Sequence, residues 1–197
     1  MMLYIEMFTL NRAWSELSED EFFWEPVPGC WSVRRRDECR TDNPFGTGEW
    51  VVDFDNGLVR AADEGAAVEP LTTIAWLFWH VGSTAGRAAE LDFLGGTQSA
   101  GSGWTSPYLG DHPIFTASSE AVQAMQTRWR ALDQAIRAST DEGLDQVTRF
   151  WSYPGYPGPP AHGYRVITSI LNEISHHGTQ VCMLRDLYRA IDGRSLG

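Results

Sequence analysis

The pair Glu173 and His177 has the residue types and the spacing that could do chemistry in this sequence. Apolar residues recur through residues 164–191 at helical spacing, so the i, i+4 offset places both side chains on one face of a helix, one turn apart. A carboxylate inside an apolar stripe is unfavourable unless a partner pairs with it. A metal ion is one such partner, because Glu-x-x-x-His presents an oxygen and an imidazole nitrogen to one point. A Glu–His hydrogen bond, or a stripe that leaves Glu173 in water, explains the same spacing.

A third candidate ligand, His80, lies in an apolar stretch much earlier in the sequence. A single histidine on such a face is more often a packed core residue than a ligand. His80 therefore becomes a ligand only if the folded chain brings its ring against Glu173 and His177.

Four long amphipathic segments must position these three side chains. Their apolar spacing predicts helices over residues 3–17, 74–94, 118–138 and 164–191. Thr72 or Thr73 is the predicted N-cap of the second helix, and Ser18-Glu19-Asp20-Glu21 matches a capping box. Together the segments predict one all-α domain over residues 1–197, an up-down four-helix bundle with long connections. Bundles of this kind build metal sites from side chains on facing helices.

The connections are less regular than the helices. Alternation in residues 49–54 predicts a short strand, and hence a short β-hairpin within the long connection 30–70. Residues 97–113 are rich in Gly and Ser, and residues 140–163 are rich in Pro and aromatic residues, so both are predicted loops. A connection as long as the first one is typical of a pocket wall or lid.

Composition limits the classes of function. Lys and Arg number 15 against 26 Asp and Glu, and the net charge of −11 argues against binding to nucleic acid or to an anionic membrane surface. The cysteines, Cys30, Cys39 and Cys182, show no CxxC pairing, so neither a disulfide framework nor a zinc knuckle is indicated. The N-terminal residues lack a signal-peptide pattern, and no apolar run has transmembrane length. We therefore predict a cytoplasmic protein.

The aromatic content predicts an assembly. The chain carries nine Trp and nine Phe, more large aromatic side chains than one small core readily buries. We therefore expect a homodimer.

Three motifs resemble the DinB/YfiT-like superfamily. They are F-F-W-E-P-V-P-G-C-W-S-V-R-R-R at residues 22–36, T-T-I-A-W-x-x-x-H ending at His80, and N-E-I-S-H-H-G-T-Q-V-C-M-L-R-D-L-Y-R at residues 172–189. The resemblance is closest to the actinobacterial branch related to the N-terminal domain of mycothiol-dependent maleylpyruvate isomerase. Many superfamily members have His-x-x-x-His in the last motif, whereas this chain, like that branch, has Glu173 at the first position.

The resemblance implies a four-helix bundle that holds a divalent metal ion. By this resemblance His80, Glu173 and His177 are the ligands, whereas the neighbouring His176 points about 100° away on the helix. Nitrogen and oxygen ligands favour zinc or nickel.

The resemblance also implies thiol chemistry, with mycothiol or another low-molecular-weight thiol as cofactor. Two imidazoles and one carboxylate leave a divalent ion with a net charge near +1 and an open position, at which a thiol would be deprotonated. We therefore expect a thiol-dependent S-transferase or isomerase that takes an electrophilic substrate. Two alternatives stay open, a metal-dependent hydrolase that uses a metal-bound water and a non-catalytic stress-response protein that binds metal.

Arg34 and Arg36 are the residues that we expect to bind the thiol cofactor. Residues 30–36 and 104–112 are predicted to form a roof over the metal, and a guanidinium offers donors in a planar fork to the hydroxyls and carbonyls of a cofactor. A basic triplet such as Arg34-Arg35-Arg36 is more often part of a solvated surface than an anchor for an anionic ligand.

Overall fold

The computed structural model describes residues 5–55, 65, 68, 70–90, 113–146 and 162–191, and it is mostly helical. The helices are α1, in which a π-helical stretch (Glu6–Leu10) continues into an α-helical turn (Asn11–Trp14), α2 (Glu19–Phe23), α3 (Ile74–Glu90), α4 (Ser118–Ala138), α5 (Asp141–Asp145) and α6 (Gly163–Ile191). None of the helices within these ranges is long and apolar enough to cross a membrane.

Helix α3 lies against both α4 and α6, and α6 also contacts α1 and α5. Leu77 of α3, Leu132 of α4 and Ile170 of α6 are fully buried members of one hydrophobic core. The predicted helical fold class is thus confirmed, with a small sheet added to it. The up-down four-helix topology and the single domain over residues 1–197 stay predictions.

Two of the helix predictions agree closely with the structure. Helix α4 has the predicted bounds, and α6 begins one residue before the predicted start. The N-cap of α3 is also confirmed, because the hydroxyl of Thr73 accepts a hydrogen bond from the backbone N–H of Trp76 at 3.3 Å. The predicted C-terminal end of this helix, residues 91–94, lies outside the described residues.

The prediction for α1 was wrong at its C-terminal end. The helix ends at Trp14 rather than at residue 17, because Ser15 is extended and Glu16 has a positive φ of 53°. The guanidinium of Arg185 on α6 donates to the carbonyl oxygens of Arg12 (2.6 Å) and Glu16 (3.3 Å). The contact with Arg12 satisfies a carbonyl group that the helix end leaves without an intrahelical partner, and the contact with Glu16 holds the residue that follows the cap.

Helix α5 lies where the sequence predicted only loop. Its first turn is capped by Thr140, whose hydroxyl accepts a hydrogen bond from the backbone N–H of Gly143 at 3.0 Å. The N–H of Gly163 donates to the carbonyl of Gln146 at 3.0 Å, which ties α5 to the start of α6. The rest of the predicted proline-rich loop, residues 147–161, lies outside the described residues.

The small sheet consists of β1 (Ser32–Arg35) and β2 (Trp50–Asp53), which pair antiparallel. Strand β2 confirms the strand predicted at residues 49–54. Trp31, directly before β1, exchanges backbone hydrogen bonds with the segment that leads into α3: its N–H donates to Leu71 at 3.0 Å, and its carbonyl accepts from Thr73 at 2.9 Å. The sheet is therefore attached to the N-terminal end of α3.

Residues at the start of the short helix α2 cap two helices, α2 itself and α4. The predicted capping box is confirmed, because Ser18 and Glu21 exchange side-chain to backbone hydrogen bonds at 3.1 and 3.2 Å. The carboxylate of Glu19 accepts from the backbone N–H (2.8 Å) and the hydroxyl (3.0 Å) of Ser118, the first residue of α4. A carboxylate at this position also interacts favourably with the dipole of α4.

A buried ion pair joins α2 to α6. The side chains of Glu21 and Arg185 are 5% and 3% exposed, and Nε of Arg185 lies 3.2 Å from the carboxylate. Arg189 approaches the same carboxylate oxygen at 3.2 Å. Burial alone would raise the pKa of Glu21, but the hydrogen bonds from Arg185 and Ser18 and the two positive charges outweigh it and lower the pKa.

The aromatic side chains do not support the argument for a homodimer. In the described part of the chain, no Trp or Phe is among the large apolar side chains that are exposed. Among the seven Trp residues in the described ranges, five are buried in the core, namely Trp14, Trp31, Trp76, Trp79 and Trp129. The described core therefore buries more aromatic surface than the composition suggested, and the homodimer stays a prediction.

The substitution Glu21→Gln tests the buried ion pair. It removes the carboxylate that compensates Arg185, so we expect the free energy of unfolding at pH 7 to fall by about 3–5 kcal/mol. Because the pKa of Glu21 is lowered in the folded state, its contribution is complete above the unfolded pKa and is lost as the pH falls through the folded pKa. The difference between the two proteins should therefore shrink below about pH 4.5 in denaturation experiments at stepped pH.

The matched control is Asp186→Asn, which removes an exposed ion pair with Arg12 from the next residue of α6. Exposed pairs contribute about 1 kcal/mol or less, so this variant should unfold almost like the wild type. Equal losses in the two variants, or a loss in Glu21→Gln that is independent of pH, would contradict the assignment.

Candidate metal centre

The three candidate ligands come from the two helices that pack at the centre of the fold. His80 lies on α3, two turns after the Thr73 cap, and Glu173 and His177 lie one turn apart on α6. On α6 the pair is flanked by Ile170 and Ile174, which are both buried in the core. Packing of α3 against α6 therefore sets the separation between the two sides of the cluster.

The cluster is compact. Nε2 of His177 lies 3.1 Å from Oε2 of Glu173, and Nε2 of His80 lies 3.7 Å from the same oxygen. Each residue offers one ligand atom, and the three atoms lie within 4.8 Å of one another. Ligands at about 2.0–2.2 Å from one ion can be about 4.4 Å apart at most, so the two pairs with Glu173 fit a shared ion directly and the group as a whole lies close to that limit.

His177 has a second polar partner on its own helix. Its Nδ1 lies 2.6 Å from the amide oxygen of Gln180, one turn further along α6. An amide oxygen only accepts, so Nδ1 carries a proton in this contact and can keep it when Nε2 binds a metal ion. Metal-binding histidines usually donate their other ring N–H in this way, which fixes the tautomer and the ring orientation.

Glu173 is the most accessible of the three residues. Its side chain is 42% exposed, against 14% for each histidine. Hydrogen bonds from His177 and then from His80 hold the pKa of Glu173 well below its ordinary value, although burial opposes them. The residue is therefore an anion at neutral pH, and its side of the cluster is open to small molecules.

The ring of His80 is held between two other rings. The indole of Trp76 stacks on it with centroids 4.9 Å apart and an interplanar angle of 10°. The ring of His177 meets it edge-on, at 4.7 Å and 82°. His176, which the sequence excluded from the ligand set, is exposed, although its ring contacts that of His177.

The donor set suits a divalent transition metal. Two imidazoles and one carboxylate are the ligands typical of zinc sites that keep an open position for a small molecule. Glu173 is ionised, and Gln180 offers the Nδ1–H of His177 an acceptor while Nε2 would face the ion, as a metal ligand requires. The structure thus brings together the three residues that the sequence predicted as ligands.

Arg34 lies in the sheet and makes contacts within the protein. Its side chain is buried, Nε donates to Asp53 at 2.9 Å, Nη2 donates to the carbonyl of Cys30 at 2.7 Å, and Nη1 pairs with Glu25. These contacts account for all three nitrogen atoms of the guanidinium. Binding of a cofactor by Arg34 stays a prediction.

Arg36 also faces protein acceptors. Its Nε donates to the carbonyl of Gly48 at 3.0 Å, and Nη2 donates to the carbonyl of Gly46 at 2.7 Å. The second half of the predicted roof, residues 104–112, lies outside the described residues. A cofactor contact of Arg36 likewise stays a prediction.

Gln180 and Trp76 are the site residues that sequence reasoning missed. Gln180 lies three residues after His177, and Trp76 lies four residues before His80, so both lie on the same helix face as the ligand that they contact. The sequence shows this spacing. The same spacing is common among residues that only pack, so it indicates a contact with the site only after the candidate ligands have been identified.

Comparison with known proteins gives one family. A family model described as the DinB superfamily matches residues 9–181, a range that contains all three candidate ligands. No curated protein and no solved structure matches the chain.

The first prediction from the site concerns metal content. We expect purified protein to retain about one divalent ion per chain, with zinc or nickel favoured by the ligand set. His177→Ala should lose the ion to buffer, because two protein ligands rarely hold it. His176→Ala is the matched control and should keep it. Elemental analysis of the three proteins decides the matter, and full occupancy in His177→Ala would reject the assignment.

A second prediction concerns Gln180. Gln180→Leu keeps the size of the side chain but removes the acceptor for the Nδ1–H of His177. Loss of such a partner typically weakens metal binding by about 10–100-fold. Competition with a chromogenic chelator measures the change. Gln180→Glu retains an acceptor and should bind at least as tightly as the wild type, and an unchanged affinity in Gln180→Leu would show that the contact is incidental.

Proposed function

Since the chain belongs to the DinB superfamily, we propose that it binds one divalent metal ion through His80, Glu173 and His177 and catalyses a thiol-dependent transfer or isomerisation. The observation that carries the proposal is the cluster itself, two imidazoles and an ionised carboxylate within 4.8 Å of one another. We place the protein in the cytoplasm and in the actinobacterial branch that uses mycothiol, on the motifs described above.

A divalent ion at this site would lower the pKa of a low-molecular-weight thiol and so supply a thiolate at neutral pH. The protein residues have distinct tasks around it. His80 and His177 are mostly buried and would occupy two coordination positions of the ion. Glu173 is partly exposed and marks the side from which a thiol and its electrophile can enter. The single carboxylate keeps the site cationic, which favours binding of an anionic sulfur.

The residues around the two histidines, on α3 and α6, support a catalytic role over simple metal storage. Gln180 orients His177 and Trp76 packs on His80, so both histidines are held by neighbours that are not themselves ligands. Such preorganisation is expected where ligand geometry must stay constant while small molecules exchange.

The test is a conjugation assay with metal-loaded protein. A chromogenic aryl halide serves as the electrophile, with mycothiol, another low-molecular-weight thiol or no thiol in parallel reactions. We expect turnover above the spontaneous rate only when a thiol is present. His80→Ala should fall to the spontaneous rate, and His176→Ala should react like the wild type.

The other outcomes identify the alternatives. Thiol-independent hydrolysis of an ester substrate that His80→Ala abolishes would favour a metal-dependent hydrolase. Stoichiometric metal without turnover of any substrate would favour a non-catalytic metal-binding protein. A wild-type protein that binds no divalent ion would reject the proposal as a whole.

A further inference from the structure

We propose that Trp76 is a positioning residue for the ligand His80, and that the small sheet supports the metal centre through this indole. The inference rests on the proposed metal site. It starts from the parallel stack of the two rings, which lie one turn apart on α3 with centroids 4.9 Å apart and planes 10° apart. One face of the imidazole is therefore covered by the indole.

The indole is itself held in place by other rings. Its side chain is only 7% exposed, and its centroid lies 5.8 Å from Trp31, 6.4 Å from Phe54 and 6.1 Å from Trp79. Trp31 immediately precedes β1, and Phe54 immediately follows β2. The aromatic contacts thus run from one end of the sheet, where Trp31 and Phe54 lie side by side, through Trp76 to a predicted metal ligand.

This arrangement restricts His80 on two sides. Rotation of the imidazole about its side-chain bonds would break the stack with Trp76 on one side or collide with the edge-on ring of His177 on the other. The ring is therefore held with Nε2 toward Glu173. A ligand that is already oriented loses less conformational entropy when it binds an ion.

The face of the indole also suits a ligand that carries positive charge. An imidazole gains positive character when it binds a divalent cation, and the π face of tryptophan is the best aromatic partner for positive charge. Stacking should therefore favour the metal-bound form of His80 over the free form. This contribution needs an aromatic face and not the indole N–H.

The indole N–H has no evident part in the contact. Within the residues that the structure describes, Nε1 of Trp76 is buried and has no hydrogen-bond partner. Its removal is not expected to destabilise the fold, because an unpaired buried donor contributes nothing favourable. Trp76→Phe therefore keeps an aromatic face, although it removes part of the ring together with the N–H, whereas Trp76→Leu removes the face.

The experiment titrates Co²⁺ into metal-free protein and follows both its dissociation constant and its visible absorption spectrum, which reports ligand geometry. We expect Trp76→Leu to raise the dissociation constant by about 10–100-fold and to alter the spectrum. Trp76→Phe should stay within about threefold of the wild type and keep its spectrum. If Trp76→Leu does not fold, Trp76→Met, which fills more of the space without a ring, takes its place.

Trp129→Leu is the control for loss of a buried indole elsewhere. Trp129 is buried on α4, and no ring contact with His80 is found for it among the described residues. We expect this variant to lose thermal stability but to bind Co²⁺ like the wild type, with the same spectrum.

Three results would overturn the inference. The first is wild-type affinity and spectrum in Trp76→Leu. The second is a loss of affinity in Trp129→Leu as large as that in Trp76→Leu, and the third is a loss of the same size in Trp76→Phe. Absence of Co²⁺ binding in the wild type would instead reject the metal site itself, so the two failures are distinguishable.

Discussion

The register of α3 against α6 is the constraint on which the rest of the site depends. His80 is on one helix and Glu173 and His177 are on the other, so a shift of one turn, about 5 Å, would separate the ligands beyond the reach of one ion. Hydrophobic packing alone tolerates such shifts poorly but does not forbid them, because apolar contacts are non-directional. Directional contacts away from the ligands must therefore fix each helix along its axis.

Each of the two helices has such contacts. Helix α3 is fixed at its N-terminal end, where Thr73 both caps the helix and hydrogen bonds to Trp31 of the sheet region. Helix α6 is fixed by Arg185, whose guanidinium binds a buried carboxylate on α2 and two carbonyls at the end of α1. Gly178, next to the candidate ligand His177, lets α1 approach α6 closely, since a Cβ there would lie 2.7 Å from the methyl group of Thr9.

The sequence predicted what depends on local periodicity. The bounds of α4 and α6, the Thr73 cap and the capping box follow from residues a few positions apart, and the i, i+4 spacing on α6 identified two of the three ligand candidates.

The contacts of Arg34 within the protein could not be predicted in this way, for a physical reason. One of its partners, Asp53, lies on the other strand of the sheet, 19 residues away in the sequence, and a run of three arginines does not reveal which guanidinium is buried. The early end of α1 was missed for the same reason. The carbonyls of Arg12 and Glu16 accept hydrogen bonds from Arg185, which is far away in the sequence.

The contacts of Glu173 explain how a polar cluster can form at a helix interface. A carboxylate and two imidazoles brought between helices would destabilise the fold if each lost its hydration without compensation. Here Glu173 lies within 3.1 and 3.7 Å of the two histidine nitrogens, and Gln180 accepts from His177. The groups compensate one another as the helices pack, so folding alone brings the candidate ligands together. An ion that binds here must replace the contacts between Glu173 and the two histidines. Its affinity therefore depends on how well the two rings keep their orientation once those contacts are lost. Gln180 does this for His177 through a hydrogen bond, and Trp76 does it for His80 through its ring face.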